Sequence, residues 1–320
     1  MLFRKNKERL KLIDEIIADL KTLRTSGFEN QYAVEANIRF FEAIKTVRGY
    51  IHWLRNERKK LDGSKLLELS DFPLGHGRWE SILQEDLREI ERWKFPDVLM
   101  NLRKALFSII KELRTHKENL FIVSLGSGTM EIDRQLVLLL QKENFSGQII
   151  FVGIDLSDTS LGAAKDNLTA LGSPTILLNN WESDTEQKMR QQYAEQHFIF
   201  ILLKMDALKL DEIFNRGEKN IDLLFYSRFR HHLNTVGKEK LELLTTKIAH
   251  TVLEHDDLNN LFQFTVPLIL RSRWFHPVLL NGAMFSSLRD PSKQELMSNK
   301  KENETLLVYP NEYIRQRVTS

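Results

Sequence analysis

Two turns near the middle of the chain hold residue types that can bind a ligand. Gly126-Ser127-Gly128 directly follows the apolar run 120–125, and Asp155 directly follows a second such run, 148–154. Glycine tolerates positive φ and lets backbone N–H groups approach a ligand closely. A carboxylate can accept hydrogen bonds from a sugar diol. The two runs are short and rich in β-branched residues, so both turns are expected at the ends of buried strands.

Two later apolar runs, 197–204 and 221–226, also end in polar residues. In an open α/β sheet, ligands bind beyond the carboxyl ends of the strands. Each feature alone has an ordinary explanation, because two glycines can make a tight turn and an aspartate after a strand is often a helix N-cap. The order and spacing of all four favour a binding site. The residues at these two later ends are Asp206, Ala207, Tyr226, Ser227, Arg228, Arg230, His231 and His232.

The elements that position these residues alternate between strand and helix. A helix is expected over 158–171, after the second run, and another over 237–254. This rhythm predicts an α/β fold with a mostly parallel sheet and right-handed crossovers. A strand is expected at 261–266, and strand-like pieces around 278–285 and 305–309 would form a final antiparallel hairpin.

Residues 1–115 are expected to form an all-helical domain, followed by a second domain over 116–320. Between Leu10 and Leu54, apolar residues recur three and four positions apart, which is the spacing of a buried helical stripe. A loop rich in Pro and Gly over 62–78 interrupts the helices.

Composition narrows the class of protein. The chain has 320 residues, of which 42% are hydrophobic and 28% charged, and these are globular proportions. It has no cysteine, which excludes disulfides, thiolate catalysis and cysteine-based zinc sites, and no metal site is expected. No stretch is apolar enough for a membrane span, and the start of the chain makes a poor signal peptide, so a soluble, cytoplasmic protein without a membrane partner is expected.

Four segments of the second domain together resemble the motifs of class I (Rossmann-like) S-adenosylmethionine (SAM)-dependent methyltransferases. Val123-Ser124-Leu125-Gly126-Ser127-Gly128-Thr129 is similar to their motif I, and Val152-Gly153-Ile154-Asp155-Leu156-Ser157 is similar to their second motif. Met205-Asp206-Ala207 resembles the acidic motif beside the adenine ring. The segment 222–233, which ends in His231-His232-Leu233, resembles the fourth-strand motif of many small-molecule methyltransferases. The resemblance covers about 115–266.

The resemblance implies SAM as cofactor and a small molecule as the methyl acceptor. Asp155 would hold the ribose hydroxyls, and Asp206 would lie near the adenine. The full set implied for the cofactor is Ser124, Gly126, Ser127, Gly128, Asp155, Leu156, Asp206, Ala207 and Ser227.

Two positions depart from the pattern of that family. Ser124 stands where the family usually has Asp or Glu near the amino-acid end of the cofactor, and Met130 stands where a third glycine is common. Both lie where the methionine part of SAM would bind. They leave open a second hypothesis, a non-catalytic SAM-binding or interaction protein that retains the fold.

Methyl transfer needs alignment more than a fixed catalytic group, because the electrophile belongs to the cofactor. His231 and His232 are the candidate general bases, although one could cap the next helix and the other could be partly buried. Tyr226 could line the methyl pocket. Arg228 and Arg230 could bind an acidic acceptor or form a solvated face. His76 and Arg78 could act as a lid over the acceptor or serve only as polar loop residues.

Two other functions are weaker. A nicotinamide-dependent dehydrogenase is disfavoured because Glu131 stands at the last glycine position of the dinucleotide fingerprint. Nucleic-acid binding stays open, but the formal net charge is only +2 and acidic residues interrupt the basic ones of the N-terminal helices.

Overall fold

The computed structural model describes residues 2–67, 69, 72, 98–143, 145–214, 219–227, 229–233, 235–257, 277, 280–281, 284–285, 288, 291–308 and 312–319. The chain forms two compact units. The first unit combines Met1–Trp93 with Asp257–Leu296, and the second combines Lys94–Asp256 with Met297–Ser320. The sequence alone suggested a single boundary at residue 115, whereas these units divide the chain at three points.

The first unit is helical in its described part. Its helices are α1 (Leu2–Thr25), α2 (Gln31–Ile44) and α3 (Val47–His52), and α3 continues into a π-helical turn, Trp53–Glu57. Asn30 caps α2 by accepting a hydrogen bond from the N–H of Ala33, as the N-cap preference of Asn predicts. Most of the predicted apolar stripe is buried in one core, which contains Phe40 and Trp53. Its members Val47 and Ile51 are exposed, because α2 ends at Ile44 and α3 begins a new helix at Val47.

The segment around residue 281 packs against these helices through buried amides. Asn281 donates from Nδ2 to Oδ1 of Asn37 (2.7 Å) and accepts from the N–H of Leu69 (2.8 Å). The ring of Phe285 meets the ring of Phe40 edge to face, with centroids 5.4 Å apart. The described residues between 277 and 288 are helical, so the expectation of a strand over 278–285 was wrong. Apolar runs of this length fit either a strand or a buried helix, and tertiary packing decides between them.

The second unit is an eight-stranded sheet of order β3-β4-β2-β1-β5-β6-β8-β7. The pairs from β3 to β6 are parallel, whereas β7 and β8 form an antiparallel hairpin. The predicted fold class, a class I methyltransferase-like sheet with a C-terminal hairpin and N-terminal helices, is confirmed. The strands are β1 (Leu120–Leu125), β2 (Ile149–Asp155), β3 (Thr175–Leu178), β4 (Phe198–Lys204), β5 (Ile221–Ser227), β6 (Ala249–Asp257), β7 (Glu304–Val308) and β8 (Glu312–Val318).

Helices cover both faces of this sheet, as the near-continuous apolar runs of its parallel strands require. One apolar cluster joins α4, α5 and α6 to one face, and a second joins α7, α8 and α9 to the other. Among the described residues, no helix is long and apolar enough to cross a membrane. The described helices from residue 98 onward are α4 (Val98–Arg114), α5 (Glu131–Lys142), α6 (Asp158–Thr169), α7 (Thr185–Gln192), α8 (Leu210–Phe214), α9 (Thr235–Ile248) and α10 (Lys293–Ser298).

Three of the described strands, β3, β6 and β8, differ from the sequence expectation. The helix expected over 237–254 ends at Ile248, and β6 begins at Ala249. The polar residues of β6 hid it from sequence patterns, because buried strands are normally apolar. The strand expected at 261–266 lies outside the described residues. The sequence patterns also missed β3, which extends the sheet beyond β4.

Alanine substitutions at two glycines compare a position where the structure requires glycine with one where it does not. Gly147 has φ of +84°, and a Cβ there would overlap the carbonyl oxygen of Glu118, whereas a Cβ on Gly162 in α6 would meet no atom within 4 Å. We expect Gly147→Ala to lower the free energy of unfolding by about 2 kcal/mol or more. The control, Gly162→Ala, should raise it by about 0.5–1 kcal/mol. Urea denaturation measures both, and equal effects would contradict this account.

Asp133 in α5 should make stability depend on pH. Its side chain is 1% exposed, its Oδ1 has no hydrogen-bond partner in the described part of the chain, and burial raises its pKa from 3.8 to about 8. Between these two pH values the unfolded chain releases the proton and the folded chain keeps it, so stability falls as pH rises. Asp133→Asn should therefore gain stability over the wild type between pH 5 and pH 8, by up to about 1.4 kcal/mol per pH unit. Denaturant titrations at both pH values measure this, and a gain that does not grow with pH would refute it.

Candidate functional site

The glycine turn after β1 has the positive φ angles that its two glycines suggested. Gly126 and Gly128 have φ of +57° and +53°, and the N–H of Ser127 donates to the carbonyl oxygen of Ile154 (3.1 Å). A Cβ on Gly126 would overlap the ring of Phe229, which follows β5. Glycine is therefore required at position 126 both for its φ and for the close approach of this ring.

The structure gives a physical reason for tolerating Met130 in place of the third glycine. Met130 is the N-cap of α5 and has φ of +51°, a conformation that costs a non-glycine residue about 1–2 kcal/mol. Met130 is 1% exposed. Its sulfur fills the space that a Cβ on Gly153 would need, so the glycine makes room for the methionine. Burial of the thioether offsets the backbone cost. The nearby Ser124 is also buried, on β1.

Asp155 lies at the carboxyl end of β2, directly beside the glycine turn. Its Oδ2 accepts the N–H of Gly128 (2.8 Å), and its Oδ1 accepts the N–H of Ser157 (2.9 Å). Ser157, and not Asp155, caps α6 through its hydroxyl. The next residue, Leu156, is 63% exposed at this end of the sheet.

Asp206 lies in the adjacent turn, after β4. The N–H of Met205 donates to the carbonyl oxygen of Asp155 (3.1 Å), so the turns after β2 and β4 are joined. Asp206 accepts the N–H of Leu208 on Oδ1 (2.9 Å) and caps a short 3₁₀ turn, while Ala207 is buried. The structure thus brings the glycine turn, Asp155 and Asp206 to one end of the sheet.

Tyr226 points into the protein interior. It is 1% exposed, donates from its hydroxyl to Oε2 of Glu254 (3.0 Å) and accepts from Nη2 of Arg317 (3.1 Å). Burial and the charge of Glu254 raise the pKa of Tyr226 well above its ordinary value. Its hydroxyl is therefore a neutral donor that holds the glutamate.

Glu254 in β6 is the centre of a buried charge network. Oε1 accepts from the hydroxyl of Tyr313 (2.5 Å) and from Nη1 of Arg230 (3.1 Å), and Arg317 lies 3.8 Å from Oε2. Burial alone would raise the pKa of Glu254, but Arg230 and Arg315 outweigh it and hold the pKa below its ordinary value. The carboxylate stays ionised and ties β5, β6, β8 and the loop after β5 together.

The opposite face of the same strands carries a second polar chain. Oγ of half-buried Ser227 lies 2.8 Å from Nδ1 of His255, and Nε2 of His255 lies 3.0 Å from Oε2 of Glu312. Asn101 of α4 donates to the other oxygen of Glu312 (3.0 Å). His255 is completely buried, and Glu312 is 4% exposed. We refer to Ser227, His255 and Glu312 as the polar relay.

The remaining predicted site residues are placed in part. His231 and His232 belong to a short 3₁₀ turn, Arg230–His232, after β5, and the side chain of His232 is partly buried. The side chain of His231 lies outside the described part of the chain, as do His76, Arg78 and Arg228.

Sequence reasoning missed the residues supplied by β6 and β8. Glu254 is the last residue of the segment that was expected to be helical, and His255 directly follows it. Glu312 is the first residue of β8, a strand that was not expected. One signal was available: Tyr313, Arg315 and Arg317 alternate along 312–318, as one face of a strand does.

The charge network predicts a large effect for a nearly isosteric change. Glu254→Gln removes the negative charge that faces Arg230 and Arg317, and it should cost about 3–5 kcal/mol of stability because buried cations are left uncompensated. The matched control is Glu182→Gln, which removes an exposed partner of Lys188 and should leave the free energy of unfolding nearly unchanged. Chemical denaturation at neutral pH compares the two, and similar costs would rule out the network as a main contributor.

No protein-family model and no curated protein sequence matches this chain. Several solved structures are similar to it. The plantazolicin methyltransferase BpumL in complex with SAH is 12% identical, with a TM-score of 0.48 over 83% of this chain and 99% of that one. The CurJ carbon methyltransferase is 12% identical, with a TM-score of 0.46 over 94% and 70% of the two chains. The CMeT domain of the citrinin polyketide synthase is 10% identical, with a TM-score of 0.44 over 94% and 68%.

Such distant likenesses carry no information on what this chain binds or catalyses. The strand order and the antiparallel final hairpin belong to the chain itself, and they give it an α/β fold of the class I methyltransferase type.

Proposed function

We propose that this chain is a SAM-dependent methyltransferase that acts on a small-molecule acceptor. The observation that carries the proposal is the 2.8 Å hydrogen bond from the N–H of Gly128 to the carboxylate of Asp155. It joins a glycine turn and an acidic side chain at the carboxyl ends of two central strands. A cofactor with a ribose and a charged amino-acid end needs an acidic side chain for the ribose and a glycine turn for the charged end, side by side at the end of the sheet.

The strand order supports the same location. β1 lies between β2 and β5. The strands that follow β1 in the chain, β2 to β4, are added on one side of it, and the strands from β5 onward are added on the other. In open α/β sheets, ligands bind at this point of reversal, beyond the carboxyl ends of the strands.

The residues at this end suit the parts of SAM. Each oxygen of Asp155 accepts one backbone N–H, and a carboxylate offers about four acceptor sites, so we propose that Asp155 also accepts from the ribose hydroxyls. The exposed Leu156 would pack against the adenine, and Asp206, with Ala207, would lie beside its polar edge. The turn Gly126-Ser127-Gly128, with Ser124 below it and Ser227 opposite, would hold the methionine end.

Methyl transfer requires the acceptor atom to lie in line with the methyl group at contact distance. SAM supplies the electrophilic methyl, and the protein supplies binding and alignment. His231 and His232 are proposed as general bases, because they follow β5 close to this end of the sheet. Arg228, His76 and Arg78 are proposed to bind the acceptor. Tyr226 contributes indirectly, since its buried hydroxyl holds Glu254.

A second candidate is a SAM-binding protein without catalytic activity. Ser124 and Met130 favour it, because both are buried at the methionine end and neither provides the acid or the glycine usual there. The two candidates differ in a direct assay with labelled SAM and panels of small acceptors. Transfer to any acceptor excludes the second candidate.

Calorimetric titration with SAM, S-adenosylhomocysteine (SAH) and NAD tests the cofactor assignment. We expect SAM and SAH to bind and NAD not to bind. Asp155→Ala should weaken SAM binding about 10- to 100-fold, because a hydrogen-bonded charged group is lost. The control, Asp184→Ala, removes an exposed carboxylate in the same unit and should leave affinity unchanged. Equal SAM affinity in the wild type and Asp155→Ala would refute the ribose role, and tight NAD binding would refute the cofactor.

A further inference from the structure

The polar relay leads from the carboxyl end of β5 into the buried sheet. Ser227 and His255 are register partners on the parallel strands β5 and β6, so their side chains project from the same face. Glu312 extends the line onto β8, where its Oε2 faces Nε2 of His255. Only Ser227 is partly exposed, so His255 and Glu312 can communicate with a bound ligand only through its hydroxyl.

The direction of the hydrogen bonds follows from the two ends of the relay. The amide nitrogen of Asn101 can only donate, so Oε1 of Glu312 is an acceptor. An ionised carboxylate can only accept, so Oε2 of Glu312 receives its hydrogen bond from Nε2 of His255. In a neutral imidazole, Nδ1 is then an acceptor and receives the proton of the Ser227 hydroxyl. The remaining lone pairs of Ser227 are left to accept a hydrogen bond from the ligand.

We propose that Ser227, His255 and Glu312 form a proton relay, which selects a methyl acceptor that carries an O–H or N–H group and removes its proton. This rests on the proposed methyltransferase function, and it gives His255 the general-base role for which His231 and His232 are the alternatives. The acceptor donates its hydrogen to Oγ of Ser227. Glu312 acts as a positioning residue that fixes the tautomer of His255, as carboxylate partners of histidines do.

The reaction balances with SAM as the only co-reactant. The bond from the sulfonium sulfur to the methyl carbon breaks, and its electron pair stays on sulfur. The acceptor atom forms the new bond to the methyl carbon. Its proton passes to Oγ of Ser227 as the proton of Ser227 passes to Nδ1 of His255. The products are the methylated acceptor, SAH and an imidazolium that faces the carboxylate of Glu312 at 3.0 Å.

An adenosyl analogue tests the role of Ser227 without a known acceptor. Sinefungin carries an amine in place of the methylsulfonium centre, so it presents an N–H donor where the acceptor would approach. We expect the wild type to bind sinefungin more tightly than SAH. Ser227→Ala should reduce this preference about tenfold or more, because a charge-assisted hydrogen bond is lost. Ser227→Thr keeps the hydroxyl and should retain most of it.

The thermal midpoint serves as the control for folding in each variant. Dividing the sinefungin affinity by the SAH affinity removes any effect of Ser227 on the part of the ligand that both compounds share. An unchanged ratio of sinefungin to SAH affinity in Ser227→Ala would overturn the proposal. If neither adenosyl ligand binds the wild type, the cofactor assignment fails, and with it the role of the relay in methyl transfer.

The direction of the relay has an independent readout that needs no ligand. ¹⁵N spectra of the histidine side chains report which ring nitrogen carries the proton, and comparison with His255→Gln identifies His255 among the 9 histidines. We expect protonated Nε2 and unprotonated Nδ1 at neutral pH. A proton on Nδ1, in either the neutral or the charged ring, would make His255 a donor to Ser227 and would overturn the proposal.

Discussion

One buried carboxylate, that of Glu254, constrains the second half of the sheet. Taking a charge out of water costs several kcal/mol, so the chain must surround it with donors. Tyr226 supplies one from β5, Tyr313 supplies one from β8, and Arg230 supplies another from the loop after β5. None of these partners is close to Glu254 in the sequence. The strands can meet these demands in one register only, because a slip by one residue would turn every side chain to the other face.

That register also determines what lies on the opposite face. Tyr226 pairs with Glu254 and Ser227 pairs with His255, so fixing the first pair aligns the second. The charge network lies in the interior, where both oxygens of Glu254 accept hydrogen bonds from buried or half-buried donors. The polar relay, in contrast, ends at a half-buried hydroxyl. The same two strands thus use one face to hold the structure together and the other to present a polar group at the end where the cofactor is proposed to bind.

The parts of the fold that could be predicted from the sequence are those with local signals. The runs before Gly126, Asp155 and Asp206 are apolar and end in turn residues, and all proved to be strands. The polar residues of β6 defeated the same reasoning, because Glu254 and His255 become acceptable in a buried strand only when β8 supplies their partners. The helical residues around Asn281 were also missed, since their environment is formed by α2, more than 200 positions away in the chain. The local spacing of apolar residues does not indicate such dependencies between distant segments.

The interleaving of the two units has a consequence for synthesis. The first unit needs the segment Asp257–Leu296, and the sheet needs the strand β8, which ends at Val318. A ribosome therefore releases the N-terminal helices long before the first core can close, and it releases most of the sheet before β8 can join it. Contacts between such distant segments fold slowly, and the waiting apolar surfaces are prone to aggregation. The yield of native protein should consequently depend on how long the apolar surfaces of the nascent chain stay exposed. The translation rate and a holdase chaperone should therefore affect this yield more than they would for two domains arranged in series.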